Sequence, residues 1–315
     1  MKIRDHIFAL LIVLLSIDYS FSQELLIPLN DDYEMEIQAA AYNSDYRFHT
    51  AMKSWSEYQF NNVLNLDSLN KSQFIVKNYN KKWKNLVWNS IFNTDFIGAK
   101  TDDFYIGINP IVDFQVGRDG NKSTWVNTRG AEVRGTISDN FAFYTNLREN
   151  QAVFPEYITE FASNNKVVPG QGHARRFKET GFDYANASAY IAVRPAYWLQ
   201  GVLGYGKNFI GDGYRSLILS DNAFAYPYIK LTADIWNIQY TCIYSQMTDK
   251  NRVLDDDTFA RKYSVIHYLD WAVTKRLNLG LFDAMVCKGQ DENGIRRGLD
   301  FQYINPIIFL RTTDY

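Results

Sequence analysis

The chain is poor in the residues that staple, bend or ligate. It has two cysteines, seven prolines and four histidines in 315 residues. Two cysteines exclude a disulfide framework. Cys242 and Cys287 fall in strand segments that are not consecutive, so free thiols are expected. His6, His49, His173 and His267 are scattered, with no Cys or His partner at ligand spacing, which speaks against a metal site. A net charge of −2 and a pI near 6.1 provide no basic patch for nucleic acid. After the first residues no apolar run approaches the ~18 residues that a membrane-crossing helix needs.

The N-terminus reads as an export signal. Lys2 and Arg4 supply positive charge, Ile7 to Ile17 is an apolar run, and Ser20-Phe21-Ser22 places small residues before Gln23. The run is too short for an anchor of ~20 residues. Residues 1–22 are therefore expected to be a signal peptide cut after Ser22. No cysteine follows to carry a lipid.

Aromatic residues make up 16% of the chain, with 22 Tyr and 21 Phe, while mean hydropathy is −0.30. Many aromatics in a polar background suit the girdles of a membrane barrel. Residues 23–100 are read as a helical element. Asn30-Asp31-Asp32 can cap a helix over Tyr33 to Tyr42, and Trp83, Val87 and Ile91 recur at helical spacing in Lys82 to Phe96.

From Asp103 the period changes to two. Phe104, Ile106, Ile108, Pro110, Val112, Phe114 and Val116 form one apolar face against Asn109, Asp113 and Gln115. Similar alternation recurs along about ten segments, near 104–117, 124–137, 141–150, 183–194, 198–208, 228–236, 238–247, 262–273, 275–287 and 298–310. The segment 124–137 alternates poorly. Connections at 138–140, 195–197, 236–237 and 274–275 are tiny, whereas 151–182, 209–227 and 248–261 are long. Alternation of short and long ends is the habit of outer-membrane barrels, and a Greek-key sandwich has no reason for it, although 118–123 is shorter than that habit and 288–297 is intermediate. The expected fold is an all-β, antiparallel transmembrane β-barrel portion over 101–315.

Gly204-Tyr-Gly-Lys-Asn-Phe-Ile-Gly-Asp-Gly-Tyr-Arg-Ser-Leu-Ile-Leu-Ser-Asp-Asn222 resembles a hallmark of capsule-assembly Wzi family proteins, closest to the RemB-type gliding-motility branch. Ile108–Arg118, Thr128-Arg-Gly130, Ile266-His-Tyr268, Lys275–Phe282, Gly298-Leu-Asp-Phe301 and Asn305–Phe309 match in order, and the resemblance covers most of 45–311. It implies an outer-membrane barrel with a periplasmic helical element. Its expected partners are surface polysaccharide, outer-membrane lipid and cell-envelope motility proteins. It implies no cofactor. Family barrels continue with more strands past Asn305–Phe309, so the chain is expected to be an N-terminal portion. The strands near 104 and 298 are then not expected to pair with each other.

The glycines of 204–222 are not a dinucleotide fingerprint, because no βαβ unit surrounds them. Lys207, Asn208, Asp212, Tyr214, Arg215, Asp221 and Asn222 have two readings. They bind sugar at a barrel mouth, through an aromatic face and planar polar groups, or they brace the loop inside the lumen. Ser264, His267 and Asp270 do not make a catalytic set, since alternation points His267 away from the other two. Asp255-Asp256-Asp257 lacks the spaced oxygens of a calcium loop. No enzyme is expected; the competing function is a porin for solute diffusion.

Overall fold

The computed structural model describes residues 25–29, 31–61, 84, 88, 94–138, 140–253 and 259–290. Most of them belong to one antiparallel sheet. Its principal strands are β1 Ile97–Lys100, β2 Phe104–Asp119, β3 Lys122–Ile137, β4 Phe141–Val153, β7 Gly181–Ala196, β8 Leu199–Gly206, β9 Tyr226–Ile235, β10 Ile238–Val253, β11 Phe259–Thr274 and β12 Leu277–Lys288, paired in that order. Between β4 and β7 come a helix, Glu156–Asn165, and a small hairpin, β5 Val167–Val168 with β6 Gly172–Phe177, whose second strand pairs with β7. Among the described residues two helices precede the sheet, α1 Asp31–Asn43 and α2 Tyr58–Asn61; the helix after β4 is α3. The path runs from β1 to β12 without closing among the described residues.

Nine of the expected strands fall where alternation placed them. The tenth, 298–310, lies outside the described residues, as do the signal peptide, the Asp255–Asp257 run and most of Lys82 to Phe96. Three differences are informative. The sheet begins before Asp103: Ile97–Lys100 folds back on β2 through a turn in which Thr101 N donates to Phe104 O at 2.7 Å. Asp95, two residues before β1, ties the other end of that strand to β2 and β3. Its carboxylate accepts from Tyr105 Oη at 2.6 Å, Asn109 Nδ2 at 2.8 Å and Arg134 Nη2 at 3.0 Å. The poorly alternating segment forms a full strand, β3, because β2 and β4 supply its backbone partners on both sides. The long connection 151–182 carries α3, β5 and β6 rather than irregular chain.

The two faces of the sheet have opposite character. On β9, Tyr226, Tyr228, Lys230 and Thr232 are buried, whereas Ile229, Leu231 and Ile235 are exposed. Side chains alternate across a strand, so a cross-strand register carries a face from strand to strand. The same exposed face holds Val112 at 80%, Leu147 at 54%, Ile191 at 45% and Leu203 at 61% exposure. The other face carries Asn146, Asn150, Arg194, Gln200, Gln239, Ser245, Ser264 and Asp270, all buried. A water-soluble antiparallel sheet has the reverse arrangement, with its apolar face turned to the core.

The register also steps. One row runs from Phe104 through Ile137, Phe141, Val193, Gly201, Leu231, Cys242 and His267 to Asp283. At Ile137 and Phe141 it borders the first short turn. At His267 it lies seven residues from Thr274, the end of β11 (274 − 267 = 7). Each short turn is displaced further along the strands than the one before, always in the same sense.

Residues 25–61 lie against the polar face. Leu25–Ile27 pairs with Trp55–Glu57 through Ile27 N to Trp55 O at 2.7 Å and Glu57 N to Leu25 O at 2.9 Å. Ile27, Ile37, Ala41, Trp55 and Phe60 form a small core around α1. A larger cluster joins Leu26, Ala51 and Met52 to Ala142, Ala192, Val202, Tyr226, Tyr228, Ile243, Ile266 and Tyr268 of the sheet. No helix of the described residues is long and apolar enough to cross a membrane.

Candidate functional site

The segment between β8 and β9, residues 207–225, is anchored at its start and open at its tip. Phe209 and Ile210 are buried and extend the sheet toward the N-terminal segment. Lys53 N donates to Phe209 O at 2.9 Å, Gly211 N to Ala51 O at 2.7 Å, and Ile210 N to Leu219 O at 3.0 Å. Ser216 ties the loop across, its hydroxyl donating to the Ile210 carbonyl and accepting from Leu219 N at 3.1 Å. Gly211 sits at φ +158°, close to extended backbone. Its Cβ position lies 3.2 Å from the Phe209 ring, so a side chain there would crowd the turn.

The seven residues singled out from sequence divide between the two readings. Asn208 and Asp212 brace. Asn208 is fully buried; its N–H donates to Tyr226 Oη at 3.2 Å, and neither polar atom of its side chain has a partner among the described residues. Asp212 accepts from Thr50 Oγ1 at 2.8 Å and Gln38 Nε2 at 3.4 Å, binding the loop to α1 and the chain after it. Lys207 is half-buried and donates to Gly170 O at 2.6 Å, which ties the loop to the β5–β6 hairpin. Burial pulls its ammonium below the usual lysine range, and the charge of Asp221 opposes that pull. Tyr214 and Arg215 are exposed at the tip, with the guanidinium 5.2 Å from the ring centre. Asn222 is exposed and both its N–H and its amide donate to Ser220 Oγ at 3.2 Å. The structure brings Tyr214 and Arg215 together, but it does not bring all seven into one cluster.

The sheet holds the N-terminal segment through residues that sequence reasoning did not single out. Arg194 on β7, 4% exposed, donates to Ser56 Oγ at 3.3 Å and to Tyr197 O at 3.1 Å, and stacks over Tyr58 at 4.2 Å. Lys230 on β9, 2% exposed, donates to Ser54 O at 3.2 Å. Tyr190 Oη accepts from Leu26 N at 2.9 Å, His49 Nδ1 lies 3.3 Å from Asp270 Oδ2, and Asn278 Nδ2 donates to Phe48 O at 2.7 Å. A period of two puts Arg194 and Lys230 opposite their apolar neighbours. It gave no sign that the polar side would be the covered one.

A cavity of ≈ 280 Å³ lies between Leu26–Leu29 and the polar face, lined among others by Tyr144, Asn146, Arg148, Asn186, Tyr190 and Lys207. Tyr144 and Tyr190 stack at 5.5 Å within it. Ser264 and His267 make separate contacts: Ser264 Oγ lies 2.7 Å from Ser245 Oγ, while His267 Nδ1 is 2.9 Å from Tyr240 Oη and 3.1 Å from Cys242 Sγ. Both cysteines are free. Among the described residues no three His, Cys, Asp or Glu side chains are disposed to hold a metal ion.

Comparison of the chain with protein-family models, with curated proteins and with solved structures finds no match.

Proposed function

We propose that this chain forms part of the wall of an outer-membrane β-barrel whose long-loop end serves the attachment or assembly of capsular or exopolysaccharide at the cell surface, with gliding motility or adhesion as the setting that the sequence resemblance implies. The observation that carries the membrane reading is the inverted sheet: an exposed apolar face backed by a buried polar one. Lipid is the solvent that makes such an outer face favourable. Two features support it. Tyr197, Trp198, Trp236 and Trp271 stand at the short-turn end, as an interfacial girdle would. The steady displacement of the short turns is the shear that tilted barrel strands require.

The polysaccharide reading rests on the resemblance of the 204–222 loop and on its geometry. The braced base of the loop presents Tyr214 and Arg215 to solvent on the side of the long connections. A ring face beside a planar cation suits a sugar, with the ring against C–H groups and the guanidinium on hydroxyl or carboxylate oxygens. The test is binding of purified capsular or exopolysaccharide by the full chain, compared with Tyr214→Ala and Arg215→Ala. Binding by the parent that both substitutions weaken supports the proposal. Open-channel currents in planar bilayers without glycan binding would instead favour solute diffusion, for which Asn109, Glu132, Arg134 and Asn146 line a polar face on β2–β4.

A further inference from the structure

The wall has a notch at its long-loop end. β7 begins at Gly181 and β10 runs on to Val253, but β8 stops at Gly206 and β9 starts only at Tyr226. β6 takes the vacated edge of β7 with the pairs Arg175↔Asp183 and Ala174↔Tyr184. What remains between β6–β7 and β10–β11 is a cavity of ≈ 510 Å³, within the range of ligand sites.

Register shows which way it opens. Ala189↔Tyr205 and Ile191↔Leu203 place Tyr205 on the exposed apolar face, and Asp183, Ala185 and Ala187 share the parity of Ala189. Arg175, opposite Asp183, faces the same way. The floor of the notch is thus the upper edge of the apolar band, formed by Ala185, Ala187 and Tyr205, and its upper rim carries His173 and Arg175. His173 stands edge-on to Phe259 at 6.3 Å. Arg175 is exposed and, among the described residues, its guanidinium has neither an ion pair nor a hydrogen bond, although Asp183 is its cross-strand neighbour. The adjacent Arg176 is engaged, donating to Ser163 Oγ at 2.6 Å and stacking over Phe182 at 4.6 Å.

We propose that this notch holds the phosphorylated headgroup of a lipid from the surrounding leaflet, with Arg175 on the phosphate oxygens and the first acyl carbons against Ala185, Ala187 and Tyr205. This rests on the membrane reading above. A guanidinium matches phosphate in a two-point contact that an ammonium cannot reproduce. Ala185 stands beside Glu149 of β4, which pairs with Arg129, and from there the floor continues through Ala187 and Ala189 into the apolar band, so the site is polar above and apolar below, in the direction of a lipid.

The test uses the full chain with vesicles of phosphatidylcholine, with and without lipid A, followed by transfer to detergent and quantification of co-retained lipid. Flotation of the parent and of Arg175→Ala with both vesicles, retention of lipid A but not phosphatidylcholine by the parent, and roughly tenfold weaker retention by Arg175→Ala with partial recovery in Arg175→Lys, would support the site. Equal retention by Arg175→Ala, or displacement of lipid A by inorganic phosphate at matching concentration, would overturn it while leaving the membrane reading standing. Failure of the parent to float with either vesicle overturns both.

Discussion

Leu203 offers the sharpest discrimination between a wall in lipid and a sheet in water. It is 61% exposed on β8, between Ile191 of β7 and Ile229 of β9. It lies four residues from Leu199, the start of β8 (203 − 199 = 4). At about 3.3 Å per residue and a tilt near 40°, that is roughly 10 Å along the membrane normal from the short-turn end, close to the middle of a band about 25 Å tall. Leu203→Arg at a water-exposed position changes stability by no more than about 0.5 kcal/mol. Near the middle of a bilayer the same change costs about 2–4 kcal/mol. Because about 1.4 kcal/mol is tenfold, the folded population relative to the unfolded one should fall by roughly 30-fold to several hundred-fold. Equilibrium unfolding in guanidinium of vesicle-inserted protein measures the difference. Leu217→Arg, at a fully exposed position (107%) in the loop between β8 and β9, is the control and should behave as the parent. A Leu203→Arg protein as stable as the Leu217→Arg control would refute the lipid-facing assignment of β8.

Three further outcomes follow from the geometry. Lys230→Met removes the donor to Ser54 O while nearly conserving volume, so exchange of backbone amides in 25–61 should quicken roughly tenfold with little change in the sheet, as hydrogen–deuterium exchange would report; uniform quickening across β9 and β10 would contradict a local latch. Gly130 has no room for a side chain, because its Cβ would fall on the Leu147 carbonyl, so Gly130→Ala should destabilise the β3–β4 pair by about 1–3 kcal/mol in denaturant unfolding; unchanged stability would show that the strands part at little cost. Burial tends to raise the Asp95 carboxyl, but hydrogen bonds from Tyr105, Asn109 and Arg134, with the Arg134 charge, outweigh it and hold the group below its ordinary value of 3.8. A depressed carboxyl stabilises the fold fully above its unfolded pKa and loses that contribution as pH falls through the folded one. Stability of the parent should therefore decline with acidification below about pH 4 more steeply than that of Asp95→Asn, and parallel curves would remove Asp95 from the account.

Much of the sheet was legible in the sequence, because a strand's two-residue period depends on local chemistry only. The run from Phe104 to Val116 declares one apolar face whatever lies beside it, and the short turns at 138–140 and 236–237 declare antiparallel neighbours. Where the local signal weakens, so did the reading. β3 alternates poorly and is held by backbone pairing to β2 and β4, which no periodicity reports. β1 has four residues, too few to show a period, and is placed by pairing to β2 and by Asp95, just before it, meeting Arg134, 39 positions away. The seven residues of 207–222 were found as a group because they share one glycine-rich loop, but their roles part company in space: Asp212 reaches Thr50, 162 positions away, while among the described residues Tyr214 and Arg215 meet each other at the exposed tip.

By itself, then, the order of residues determined the strands, their antiparallel succession and the apolar identity of one face. Which face would be covered was decided only in three dimensions. A period of two says that Ile229 and Lys230 point apart, but not which of them meets water, lipid or protein. Residues 25–61 settle that by laying Leu26, Met52, Ser54 and Ser56 on the polar side, where Arg194 and Lys230 bind the passing backbone and hydroxyls. The displacement of successive turns is likewise invisible to composition or spacing, because register between strands is a relation between distant segments. It depends on which cross-strand pairs bury the most and leave the fewest backbone groups unpaired.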